Sequence, residues 1–312
     1  MLRALAPLTV TLAAAFAAAC ASTPTPPAAA LPSHPLITPE VARAKLRAVS
    51  KNKVQLWVVV HVRAHKTLDE QGQVDEAKLL ADALSSADAV VNGGGDMIIL
   101  INSRTDMPLY EKVIAAVRQR HPTFPLGISA LSYGPSNLTE GFRLAAAFDA
   151  QMVWCETVPD EQIEFEDDDG SYTRADVTPL ALALDTQARL KPSALHTAGV
   201  HMKYTRPLDG KTFEEAMQAA LGKVDGINVT GPKTGELADV ARIQAARRVA
   251  GAFPIGLASG VSVENVGDVI GLIDYAIVGT SLKFPDNPLR TSEARVRELR
   301  HKMDTLGGGA QP

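Results

Sequence analysis

Three runs in the C-terminal third of the chain place glycine beside hydroxyl and lysine side chains. They are Ile227-Asn228-Val229-Thr230-Gly231-Pro232-Lys233-Thr234-Gly235, Ala258-Ser259-Gly260-Val261-Ser262-Val263-Glu264-Asn265 and Ile277-Val278-Gly279-Thr280-Ser281-Leu282-Lys283. In each, an apolar run of strand type gives way to glycine, and hydrogen-bond donors sit around it. Glycine lets the main chain come close to a ligand. Exposed amides, hydroxyls and a lysine are the groups that hold an anion. Taken singly, each run also reads as a turn with a solvated lysine, or as simple helix capping. Two in succession match the place where phosphate is held in (β/α)8 barrels. The phosphate-binding candidates are Thr230, Gly231, Ser259, Gly260, Gly279 and Thr280.

A second group stands at the ends of other apolar runs: His61, Asn102, Glu156 and Lys203. Imidazole, carboxylate and amine are the usual proton carriers of general acid–base catalysis. These four are the catalytic candidates. The competing reading is ordinary barrel lining, with Lys203 and Glu156 as a structural ion pair. Cys155 lies in the apolar run Met152-Val153-Trp154-Cys155 and reads as an inert buried thiol. His196 and His201 are too isolated to be metal ligands, and the acidic run Glu161, Glu164, Glu166, Asp167, Asp168, Asp169 lacks the spacing of a calcium loop. Neither a metal nor an organic cofactor is expected.

The elements that must position these groups alternate along the chain. Strands are expected at 55–62, 96–101, 125–131, 151–156, 195–203, 226–229, 254–258 and 275–278. Between them lie helical patterns: one through Ala77, Leu80, Ala81 and Leu84, one at 108–121, and one through Leu138, Phe142, Ala145 and Phe148. Others follow at 179–190, 212–221, 237–250, 263–270 and 291–303, with Thr212 and Glu215 forming a capping box. An insertion around Asp168-Asp169-Gly170 reads as a hairpin. Eight regular strand–helix units predict an α/β fold, a single (β/α)8 TIM barrel over 38–305, with 306–312 as a disordered tail. An open doubly wound sheet is the alternative.

The 312 residues suit one such barrel, and 46% hydrophobic content with only 5% aromatics suits a core of aliphatic residues. A net charge of −4 without a long Lys/Arg run argues against a nucleic-acid partner. The first residues differ from the rest. Arg3 precedes an alanine-rich apolar stretch that ends in Ala17-Ala18-Ala19-Cys20. This resembles a bacterial lipoprotein signal over 1–20, with Cys20 as the lipidated residue. A Pro/Ala-rich stretch, 21–37, would be the tether. The leading expectation is an exported, membrane-anchored lipoprotein on the periplasmic side. Ordinary signal cleavage, or a cytoplasmic product from a misassigned start codon, are the alternatives.

The segments VTGPKTGE, ASGVSVENV and IVGTSLK, in this order, resemble the BtpA/SgcQ family, one of the ribulose-phosphate-binding barrels. The resemblance is strong over about 222–290 and fainter over 77–203. It implies a TIM barrel, and the family is linked to photosystem I biogenesis in cyanobacteria. Several polar positions depart from the family pattern. His61 is followed by Val62-Arg63-Ala64-His65 without the usual prolines, and Ile101-Asn102 stands for Glu-Asn. Leu131-Ser132-Tyr133-Gly134 replaces an expected Asn-Asp, Gly199 an Asp, and Lys203-Tyr204 a Lys-His. Two functions follow from this pattern. One is a barrel that binds a phosphorylated small molecule, with isomerase or lyase chemistry. The other is a non-catalytic, membrane-anchored barrel that assists a membrane complex. Homo-oligomerisation is open in either case.

Overall fold

The run QLWVVVHV forms strand β1, Gln55–Val62, and every residue in it except His61 is buried. Burial on both faces is what a parallel strand covered by helices requires. In the computed structural model, which describes residues 33–129, 135–167 and 169–310, the same pattern recurs around a closed sheet. The strands are β2 (Met97–Asn102), β3 (Leu126–Ser129), β4 (Met152–Thr157), β5 (Ile163–Glu166), β6 (Tyr172–Arg174), β7 (Leu195–Gly199), β8 (Thr205–Pro207), β9 (Gly226–Val229), β10 (Ile255–Leu257) and β11 (Tyr275–Val278). The helices are α1 (Pro39–Val49), α2 (Glu76–Asn92), α3 (Met107–Arg120), α4 (Pro135–Ala147), α5 (Leu180–Leu190), α6 (Phe213–Ala220), α7 (Val240–Ala250), α8 (Val266–Val269) and α9 (Glu293–Met303). Strands β1-β2-β3-β4-β7-β9-β10-β11 close into a parallel barrel, and β6-β5-β8 form a small separate sheet. The fold is the expected α/β TIM barrel.

The two-residue period of a strand sorts side chains between two layers. Trp57 and Val59 of β1, Met97, Ile99 and Ile101 of β2, Met152 and Trp154 of β4, and Tyr275 and Ile277 of β11 pack together inside the barrel. Their neighbours Leu56, Val58, Val60, Ile98, Leu100, Val153 and Val278 join the helix-facing layer instead. Trp57 stacks on Tyr275 with ring centroids 4.0 Å apart, filling the interior below the mouth. Continuing each inward row carries it to the C-terminal mouth at positions 61, 63, 103, 156 and 279.

Several boundaries differ from the sequence reading. Helix α1 has Thr38 as N-cap and Pro39 at its start, and its Leu46 joins the interior cluster. The strand expected to run to 203 stops at Gly199, where Met202 packs so closely that a Cβ on the glycine would lie 1.8 Å from its Sδ. The helix expected from 263 is only Val266–Val269, because the turn before it is closed by Asn265 instead. The tail expected from 306 is ordered through Ala310: Gly308 and Gly309 accept from the amides of Val54 and Lys53 at 2.9 and 3.1 Å. The predicted hairpin is β5 and β6, extended by β8 into three strands. The capping box at Thr212 and Glu215 is formed. The expected signal and most of the expected tether, residues 1–32, lie outside the described residues.

Candidate functional site at the barrel mouth

A cavity of about 210 Å³ opens at the C-terminal end of the strands. Its floor is apolar, with Val59, Ile101, Trp154, Ala258 and Ile277, and its polar wall is His61, Arg63, Glu156 and Lys203. Ser259, Gly260, Gly279 and Thr280 also line it, Gly279 beside His61. Seven of the sequence candidates therefore meet in one place. An apolar cavity with a few convergent polar groups is the usual form of a small-molecule site.

His61 continues the inward row of Trp57 and Val59. Burial, then the charges of Lys283, Arg63 and Lys203, hold its pKa well below the ordinary imidazole value. It is a neutral ring, and its buried Nδ1 has no protein partner among the described residues. The Trp154 indole N–H is also buried without a partner. Glu156 continues the row of Met152 and Trp154. Burial raises its pKa, and Lys203 opposes that rise. Burial lowers the Lys203 pKa, and Glu156 opposes that fall. Among the described residues the two make no direct salt bridge, so both end groups face the cavity. Desolvation that moves an acid up and an amine down brings both toward the range where proton transfer is efficient.

The loop carrying Lys203 is held from several sides. Lys203 N donates to Thr230 Oγ1 at 3.0 Å, and His201 N donates to a Glu161 carboxylate oxygen at 3.0 Å. Arg242 donates to the His201 carbonyl at 3.1 Å. His201 and Tyr204 sit at φ 45° and 62°, in the left-handed region that non-glycine residues rarely adopt. Such backbone persists only where its surroundings enforce it.

The glycine loops are shaped by close packing. A Cβ on Gly260, which has φ 76°, would lie 2.1 Å from Leu237 N, and one on Gly231 would lie 2.0 Å from Glu236 O. Ser259 Oγ accepts from Gly231 N at 3.0 Å and donates to Glu236 O at 3.2 Å. Its hydroxyl ties two loops together. Asn265 closes the turn, accepting from Ser262 N and donating to Gly260 O at 2.8 Å each. Thr230 and Gly231 line a neighbouring hollow with Lys203, not the cavity itself.

Asn102 is not among the cavity residues. It falls on the helix-facing phase of β2, where its amide donates to Thr105 O and accepts from Thr105 N, both at 2.9 Å. Ile101 takes the mouth position instead. Arg63 is the residue the sequence reading did not nominate. It is half-buried, lines the cavity, and its guanidinium has no protein partner among the described residues. Counting by twos from Trp57 would have found it. Lys283 is buried below the mouth, donating to Val59 O at 2.8 Å and Thr291 Oγ1 at 2.9 Å. Burial, with Arg63, pushes its pKa down to about 7. Cys155 faces the helix layer, and burial pushes its thiol up to about 12, which suits an inert side chain.

This architecture is shared with several solved barrels. The chain superposes on thiamine phosphate pyrophosphorylase of Pyrococcus furiosus with TM-score 0.51 at 14% identity, covering 82% of this chain and 98% of that one. It superposes on tryptophan synthase of Mycobacterium tuberculosis with TM-score 0.54 at 13% identity, covering 84% and 97%. For 3-hexulose-6-phosphate synthase of Salmonella typhimurium the values are 0.53, 14%, 81% and 100%. At such identities the likeness is one of fold. In sequence, an uncharacterized protein of Pyrococcus furiosus, PF0860, is 32% identical over 118 residues, which are 36% of this chain and 44% of that protein. The match thus spans less than half the length of that relative. The BtpA family pattern covers residues 52–305, from the first barrel strand to the last helix, and the chain belongs to the BtpA family.

Proposed function

We propose that the barrel mouth binds a phosphorylated small molecule and acts on it as an isomerase or lyase. The observation that carries this reading is the meeting of Arg63 and Lys203, two half-buried cations whose charged ends have no partner among the described residues, with the glycine loops in one cavity. Cations held in a partly dry cleft attract an anion far more strongly than they would in water. Neutral His61, Glu156 and Lys203 supply donor and acceptor beside the bound group. Arg63 and the loop amides hold the phosphate, while Glu156 and Lys203 exchange a proton with the remainder of the ligand. In a thermal-shift screen of phosphorylated metabolites on the full chain, at least one should raise the melting temperature. Lys203→Met should abolish that rise. A screen in which none shifts the wild type, or in which Lys203→Met shifts equally, would overturn the reading.

A second reading rests on residues 1–37. The apolar stretch ending at Cys20 and the Pro/Ala-rich segment after it suit a barrel tethered outside the cytoplasm, assisting a membrane complex. Radioactive fatty-acid labelling should mark the wild type and miss Cys20→Ser. Equal label in both, or none in either, removes the anchor.

A further inference from the structure

Among the described residues, burial makes two amines easier to deprotonate, Lys203 and Lys283. Their end groups meet different surroundings. The Lys283 amine is engaged in the barrel wall, donating to Val59 O at 2.8 Å and Thr291 Oγ1 at 2.9 Å. Lys203 is half-buried and lines the cavity, and its amine has no hydrogen-bond or ion-pair partner among the described residues. An amine attacks carbon only through an unprotonated lone pair, and desolvation is what frees that pair near neutral pH.

Glu156 lines the same cavity. Each side chain feels the charge of the other, yet among the described residues they form no salt bridge. A contact ion pair would hold the amine as an ammonium. Two separated, desolvated groups favour the neutral amine and the carboxylic acid instead. Those are the two reactants that imine formation consumes. The backbone under the amine is fixed by the Thr230 hydroxyl and by the left-handed settings of His201 and Tyr204 on either side. The nucleophile is thus placed before a ligand arrives.

We infer that Lys203 is a nucleophile, and that the mouth takes a phosphorylated aldehyde or ketone whose carbonyl carbon the amine attacks to form an imine. This inference rests on the mouth being a phosphate site, and it deepens that reading by naming the reacting group. The Lys203 nitrogen bonds to the carbonyl carbon as the C=O pair moves to oxygen. A proton passes from nitrogen to that oxygen and gives the carbinolamine. Glu156, as the acid, protonates the hydroxyl, the C–O bond breaks and water leaves. The nitrogen lone pair closes the C=N bond. The products are a protonated imine, water and the Glu156 carboxylate, whose charge balances the iminium beside it. An iminium carbon draws electrons from the bond next to it, which is an entry to both lyase and isomerase chemistry.

Reductive trapping reads this bond directly. The full chain would be incubated with sodium cyanoborohydride and glycolaldehyde phosphate, dihydroxyacetone phosphate or fructose 6-phosphate, and peptide mass spectrometry would map the adduct. At least one of these should give a reduced adduct on Lys203, about tenfold or more above the exposed Lys66 and Lys233. Excess glycerol 3-phosphate, which carries the phosphate without a carbonyl, should suppress it. Glu156→Gln should slow trapping about a hundredfold, with circular dichroism and the unfolding midpoint confirming that the variant is folded. No Lys203 adduct from any of the three, or adducts spread evenly over exposed lysines, overturns the imine. A melting temperature still raised by glycerol 3-phosphate then leaves the phosphate reading standing, and no shift from any phosphate of the screen removes both. A Lys203 adduct that glycerol 3-phosphate leaves untouched keeps the imine and removes the phosphate. Trapping of Glu156→Gln at the wild-type rate overturns the role given to Glu156.

Discussion

A histidine's chemistry is set by its surroundings, and His61 and His196 show it. At the mouth, burial and then the charges of Lys283, Arg63 and Lys203 hold the His61 pKa well below the ordinary imidazole value. His196 lies outside the barrel wall, fully buried against the Phe142 ring at 5.7 Å, with neither ring nitrogen hydrogen-bonded among the described residues. Burial, with some help from Lys45, pushes its pKa down to about 3. The folded pKa is below the unfolded value, so the folded state binds fewer protons between the two. Stability from this residue is complete above the ordinary imidazole pKa, near 6.5, and is lost as pH falls toward 3. His196→Leu removes the protonation penalty. Between pH 7 and pH 4 in urea unfolding, the wild type should lose about 2–3 kcal/mol more than the variant. Equal losses would show that the ring is not buried as described. Arg63 and Asn102 carry the same lesson: one residue's step along a strand decides whether a polar group meets the cavity or the helix layer.

At the scale of elements, the barrel repeats one device at the opposite end of its strands. Asp96, Asp225 and Asp274 each precede or adjoin a strand and accept a backbone amide from the neighbouring strand: Leu56 N at 2.7 Å, His196 N at 2.8 Å and Ile255 N at 2.9 Å. Each also meets a cation from a covering helix. Asp96 pairs with Arg300 at 3.3 Å, Asp225 with Lys45 at 2.9 Å, and Asp274 with Arg247 at 2.5 Å and Arg43 at 3.0 Å. These carboxylates lock helices to strand ends, so they belong to stability and not to the site. Asp274→Ala leaves Ile255 N without its acceptor and takes the carboxylate from Arg43 and Arg247, which keep only backbone carbonyls among the described residues. It should cost about 3 kcal/mol in chemical denaturation. A cost below about 1 kcal/mol would mean that the backbone carbonyls around Arg43 and Arg247 suffice without the carboxylate. The insertion does the complementary work at the mouth: Glu161, just before β5, grips His201, and β8 pairs with β5 immediately after Tyr204. An element that interrupts the barrel rhythm thereby braces the Lys203 loop.

Across the whole molecule, the N-terminal end of the strands is closed and the C-terminal end is open. Leu46 of α1 joins the interior cluster, while the other end holds the cavity. Much of this was legible from the sequence. Eight strand–helix units, the hairpin insertion, the Thr212 cap and the glycine loops after β10 and β11 all rest on local periodicity and turn chemistry, which neighbouring residues specify among themselves. His61, Glu156 and Lys203 were legible as polar residues ending apolar runs. Tertiary structure decided the rest. It turned Asn102 onto Thr105, drew Arg63 into the mouth, and set Ser259 to tying loops together. It also shortened α8 and ordered the chain through Ala310 against Lys53 and Val54. Each of these depends on a partner far away in the chain. The phase of a strand against the barrel axis, and the packing of one loop on another, are set only when the sheet closes.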